Sequence, residues 1–168
     1  ELLRPKLGEQ SQHEIVKFPM LPSKHSETSN LEPSTPQLVL LGVREKRKNL
    51  HQFLLGMEND GSIPIVASGF DTSEEFLEWC GLPGSRAKTL LHVRWLGTRA
   101  TEEELEKLLR PPNKLLLNQE DQLNSGLLWL AVSQGAGVIA RSTASFEEIR
   151  DSMPKDSLQL FAPPLTAG

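Results

Sequence analysis

The sequence predicts an α/β protein built on a mostly parallel sheet of about five or six short strands flanked by helices, as an open three-layer sandwich or a partial β/α barrel. Short unbroken apolar runs such as Leu38-Val39-Leu40-Leu41 suit strands buried on both faces. Between these runs, apolar residues recur at helical spacing. Hydroxyl–acid pairs that start helices, and Gly or Pro residues that stop them, punctuate the alternation at roughly 25-residue intervals.

Residues 1–21 read as an N-terminal extension in which Glu14-Ile15-Val16-Lys17-Phe18 suits a short edge strand. Residues 22–37 are rich in Pro, Ser, Thr and Asn and leave little apolar surface to bury, the composition of a linker or mobile loop. The α/β domain is expected over 38–168. Its first strand leads to a helix over about 45–58, on the stripe Leu50, Phe53, Leu54 and Met57, with Asn59-Asp60-Gly61 as the stop. Ile63-Pro64-Ile65-Val66-Ala67 is the next strand, its proline suited to the start or an edge.

Thr72-Ser73-Glu74-Glu75 is a capping box before Phe76, Leu77, Trp79 and Cys80, and Gly81-Leu82-Pro83-Gly84 ends that helix. A strand over Thr89–Leu96 follows. Thr101-Glu102-Glu103-Glu104 is a second capping box, and Arg110-Pro111-Pro112 stops its helix. Lys114–Leu117 is a strand, and Leu123, Leu127, Leu130 and Ala131 mark a helix running into Gln134. Gly135-Ala136-Gly137 reads as a helix C-cap before the strand Val138-Ile139-Ala140. Ser145-Phe146-Glu147-Glu148 reads as a third capping box, and Leu158–Phe161 as a last strand closed by Pro163-Pro164.

Composition removes several function classes. The 168 residues carry a formal net charge of −4 and are 38% hydrophobic, enough for one domain with a core and unlike a wholly disordered chain. No apolar run approaches the roughly 20 residues needed to span a bilayer. A lone Cys80 excludes a disulfide framework and a Cys-rich zinc site, and His13, His25, His51 and His92 lack the spacing of a helical metal site. Neither the Walker pattern nor G-x-G-x-x-G between strand and helix is present, so no cofactor or metal is expected. Without a secretory h-region an intracellular location is expected, in the cytoplasm or an organelle, and Glu1 in place of Met suggests a fragment or processed form. The run Arg44-Glu45-Lys46-Arg47-Lys48 reads as a solvated first helical turn. An acidic pI near 5.6 and no interleaved aromatics argue against nucleic acid.

In an open α/β sheet, ligands gather beyond the carboxyl ends of the strands. That edge collects Arg44 after the first strand, Ser68 and Gly69 after the second, Thr98 and Arg99 after the third, and Arg141 and Ser142 after the fifth. Three arginines converging there would bind an anion by charge and forked hydrogen bonding. Asp71 is the one acid immediately after a strand at this edge, a candidate acid/base under an enzymatic reading, and equally placed to cap the helix that follows. Cys80 reads as a small buried hydrophobe.

Ile63–Gly69 and Gly135–Ser142 resemble strand entries and exits in phosphate-binding β/α barrels, which place glycines at late βα loops around a phosphate. The chain departs from that pattern in length, since about 250 residues are typical of eight units.

With no acid, base, nucleophile or metal set grouped along the chain, the leading expectation is a non-catalytic accessory or scaffolding module. It would bind a protein partner through an apolar patch, at a tryptophan such as Trp129 or at Leu2-Leu3. The alternative is an enzyme domain or subunit that binds a phosphorylated or other anionic small molecule at the carboxyl ends of the parallel strands. The division between them rests on whether the arginine-bearing loops meet.

Overall fold

A computed structural model describes residues 35–56, 63–84, 90–120 and 126–162. The extension over 1–21, the 22–34 part of the linker and the Leu2-Leu3 end lie outside these residues, as do Met57, the Asn59–Gly61 turn, Thr89, Leu123 and Pro163-Pro164.

Among the described residues six short strands form one sheet: β1 (Leu38–Leu40), β2 (Ile65–Ala67), β3 (Val93–Trp95), β4 (Lys114–Leu117), β5 (Gly137–Arg141) and β6 (Leu158–Phe161). Every adjacent pair is parallel, and the order is β3-β2-β1-β4-β5-β6. The chain steps outward from β1 to β3, returns across the sheet, and steps outward again from β4 to β6. Among the described residues the sheet is therefore open, with β3 and β6 as edges, and the partial-barrel alternative does not hold. Barrel closure would need those two edges to pair, and the reversal between β1 and β4 carries them to opposite sides.

The helices are α1 (Leu50–Gly56), α2 (Ser73–Trp79), α3 (Glu102–Leu108), α4 (Gly126–Gln134) and α5 (Ala144–Arg150). Right-handed crossovers that step in opposite directions leave their helices on opposite faces. Leu50 and Leu54 of α1 and Phe76 and Leu77 of α2 bury against Leu38, Leu40, Ile65 and Ala67 on one face. Leu108 of α3, Leu128 and Ala131 of α4 and Phe146 of α5 bury against Val39, Val66, Leu115 and Val138 on the other. The unbroken apolar strands thus supply both cores by alternation.

Local chemistry sets the element limits. The expected helix over 45–58 is split. Lys46–Lys48 form a 3₁₀ turn, Asn49 takes a left-handed conformation (φ 51°), and α1 starts only at Leu50. Three adjacent cations in the first turn of an α-helix would oppose its dipole, and the break places them before it. β2 begins after Pro64, whose carbonyl accepts from Leu38 N–H at 2.9 Å. The expected strand over Thr89–Leu96 is only Val93–Trp95 long. Leu90–His92 turn before it, with Leu91 81% exposed.

Thr101 and Glu104 make the complete reciprocal capping box. Thr72 accepts from Glu75 N–H, but the Glu75 carboxylate accepts from Asp71 N–H instead of closing the box on Thr72. The third box is corrected: Thr143, not Ser145, caps α5, accepting from Phe146 N–H at 3.3 Å, and Ser145 lies inside the helix. At the end of α4, Gly135 N–H donates to Val132 O and Ala136 N–H to Ala131 O, the paired bonds of a glycine C-cap. Among the described residues no helix is long and apolar enough to cross a membrane.

Candidate functional site

The exits of the first three strands are laced together. Ser68 N–H donates to Leu40 O at 2.9 Å, Val43 N–H to Ser68 O at 2.8 Å, and Gly42 N–H to the Ser68 hydroxyl oxygen at 3.0 Å. Gly69 N–H then donates to Gly97 O at 2.8 Å, tying the β2 exit to the β3 exit. This lacing needs glycine at position 69. Its φ is +134°, and a Cβ there would lie 2.9 Å from Arg44 N and 3.1 Å from Val43 N.

Above the laced exits lies a cleft of about 410 Å³. Its floor is Leu41, Gly42, Ser68 and Gly69, and Thr98, Arg99 and Ala100 form one rim. Leu105 of α3 and Leu127 of α4 supply an apolar wall, and Arg44, Glu45 and Lys48 supply the charged side. The cleft thus sits beyond the carboxyl ends of β1–β3, beside the point where the strand order reverses, where open α/β sheets bind ligands.

Each cation is held differently. The Arg44 guanidinium lies 5.2 Å from the centre of the Phe70 ring and 3.6 Å from the Glu75 carboxylate. Phe70 is itself wedged among Phe76, Trp79 and Trp95, so a buried aromatic cluster carries the arginine. Lys48 is only 12% exposed and donates to Leu41 O at 3.2 Å and to Glu45 Oε1 at 2.6 Å. Glu45 also accepts from Arg47. The hydrogen bond from Lys48 is the largest influence on its carboxyl, burial opposes it, and the bond from Arg47 adds to Lys48 so that the carboxyl stays below the usual range. Arg99 is exposed and has no acidic partner among the described residues. Ser68 is buried and its hydroxyl oxygen accepts from Gly42 N–H, while among the described residues its own proton has no acceptor and is available to one in the cleft.

Five of the seven residues singled out for anion binding meet here: Arg44, Ser68, Gly69, Thr98 and Arg99. Arg141 and Ser142 do not. Arg141 ends β5, two strands away from β1 across the reversal, and donates to Glu120 at 2.6 Å; Ser142 Oγ donates to Glu147. The three arginine-bearing loops therefore divide two and one. Asp71 is exposed, lies beside Gly97 and is not among the residues that line the cleft.

Sequence reasoning missed Gly42, Glu45 and Lys48. The cationic run reads as a solvated helical face, but the break at Asn49 folds Lys48 back beneath the β1 exit. Among the described residues no group of three His, Cys, Asp or Glu side chains could hold a metal ion.

The fold and site define an open, all-parallel α/β protein with a cationic cleft at the carboxyl edge of its sheet. No protein-family model matches the chain, and no curated protein matches its sequence.

Proposed function

We propose that this protein binds an anionic small molecule in the cleft over β1, β2 and β3. The observation that carries this reading is the arrival of Arg44, Lys48 and Arg99 from two separate strand exits in one cleft, beside the Ser68 and Thr98 hydroxyls. Fixed cations with hydroxyl donors recognise a carboxylate or phosphate at short range, and an arginine fork adds orientation. The reading is one of binding and assigns no acid/base role to Asp71.

A panel of phosphate, sulfate and acetate, titrated while backbone amide shifts are followed, tests it. Saturable shifts are expected at Gly42, Ser68, Thr98 and Arg99. Arg99→Ala should lower the affinity of the best anion about tenfold, near 1.4 kcal/mol. Arg141→Ala, outside the cleft and paired with Glu120, should leave it unchanged. Equal affinity in wild type and Arg99→Ala would remove the proposal.

For the protein-partner reading, the expected tryptophan lies on the outer side of α4, where Leu130 is 37% exposed and Trp129 half-buried. A single helix face of this kind is common on monomeric proteins. Partner capture by the tagged chain that survives Trp129→Ala and Leu130→Glu would exclude this face.

A further inference from the structure

Resting on the anion-binding reading, we infer that the ligand is an organic monoanion with one charged head and a compact apolar body, and not a dinucleotide. Three observations converge on this class.

The first is charge. Arg44 shares its charge with Glu75 and Lys48 with Glu45, which leaves Arg99 as the cleft cation without an acidic partner among the described residues. Among the cations that line the cleft and the carboxylates they meet, about one positive charge is uncompensated, the complement of a single negative one; Arg47, the second partner of Glu45, does not line the cleft.

The second is the ground that a dinucleotide would need. Doubly wound sheets with this strand order hold a pyrophosphate against a glycine-rich turn at the end of β1, where absent side chains let the phosphates approach the backbone. Here that turn has one glycine, Gly42, and the chain's own ion pair already occupies the space over it. A Cβ on Gly42 would lie 2.6 Å from Lys48 Nζ and 2.7 Å from Glu45 Oε1. The ammonium is further pinned by Leu41 O. A pyrophosphate would have to displace a carboxylate held by two cations.

The third is the wall. Leu105 and Leu127 line the cleft together with the arginines, as does Leu41. Simple anions leave this surface wet, whereas a ring or branched acyl body on the anion removes it from water. A volume of about 410 Å³ is at the small end of ligand clefts and suits one ring with its head group.

The test compares acetate, phenylacetate and a nicotinamide dinucleotide by amide shifts on the full chain. Phenylacetate should bind at least about tenfold more tightly than acetate. Leu127→Ala, or Leu105→Ala should the first variant lose stability, should shrink that ratio severalfold while acetate affinity holds. The dinucleotide should not displace phenylacetate. Equal affinities for the two carboxylates, or displacement by the dinucleotide with Arg99-dependent affinity, would overturn the inference and leave the anion reading standing. Absence of Arg99-dependent binding by every anion would overturn both.

Discussion

Glu45 accepts from Lys48 and from Arg47, and the hydrogen bond from Lys48, against burial, keeps its carboxyl below the usual range. If an incoming anion competes with this internal one, removing its charge should help the ligand. Glu45→Gln is expected to raise anion affinity severalfold, to steepen its salt dependence, and to shift preference toward dianions such as phosphate. Binding isotherms at low and moderate salt check this, and unchanged affinity would show that Glu45 does not offset the cleft's charge. The pair also couples weakly to pH. The folded-state pKa lies below the ordinary 4.5, so its stabilisation is complete above about pH 4.5 and is lost as pH falls through the lower folded value.

His51 behaves differently. Its Nδ1 is buried without a hydrogen-bond partner, its ring meets Trp79 edge-on at 5.5 Å, and burial, helped by Lys46, lowers its pKa from 6.5. The folded protein thus resists protonating His51 while the unfolded chain accepts the proton. The stabilisation is fully present above about pH 6.5 and declines as pH falls through the depressed folded value. Thermal unfolding between pH 7.5 and 5.5 should therefore lose less stability in His51→Phe, which keeps a ring against Trp79, than in wild type. Identical pH slopes would assign the dependence to other groups. Cys80 is half-buried, not fully buried as expected, and burial, against a smaller opposing effect of Lys46, raises its pKa and keeps the thiol protonated.

At the level of the elements, caps were the most legible feature, because a hydroxyl three residues before a glutamate acts through the backbone alone. Thr101 and Glu104 realise this pattern in full. The same rule misplaced the α5 cap because Ser145 and Thr143 both precede the apolar turn, and only burial of Phe146 decides which is in register. Thr143→Ala should cost about 1 kcal/mol in urea unfolding, whereas Ser145→Ala should stay within about 0.5 kcal/mol of wild type. The reverse ranking would contradict the observed cap. At the strand exits, Gly69→Ala has no relaxed solution, since both its φ and its neighbours oppose a Cβ. It is expected to destabilise by about 2 kcal/mol or more and to weaken anion binding with it, because the Arg44 backbone must move. A stable Gly69→Ala with native affinity would show that the lacing is not needed.

Across the whole molecule, alternation of apolar runs and helical stripes made the parallel α/β class readable, since each unit declares itself locally. Strand order was not readable, because β1 and β4 are paired by a crossover with no local sequence signature. The candidate site inherited that division. Arg44, Ser68, Gly69, Thr98 and Arg99 share one edge because their strands are neighbours, whereas Arg141 and Ser142 follow a strand that the reversal sends the other way. Lys48 was lost for a smaller reason, a single left-handed residue at Asn49 that no periodicity reveals.

The reversal of strand order has a kinetic consequence. Strands β1 to β3 pair with near neighbours in the chain, as do β4 to β6, whereas Leu38 and Val39 meet Lys114 and Leu115 across a long stretch of sequence. Closing that seam carries the largest loop-entropy cost, so each half is expected to assemble before the two join. The cleft draws its floor from the first half and Leu127 from the second, so its full wall exists only once the seam has closed. In stopped-flow refolding, capture of an aryl carboxylate should then lag the first gain of helical signal and track the slowest phase, which makes ligand capture a clock for the last step of assembly.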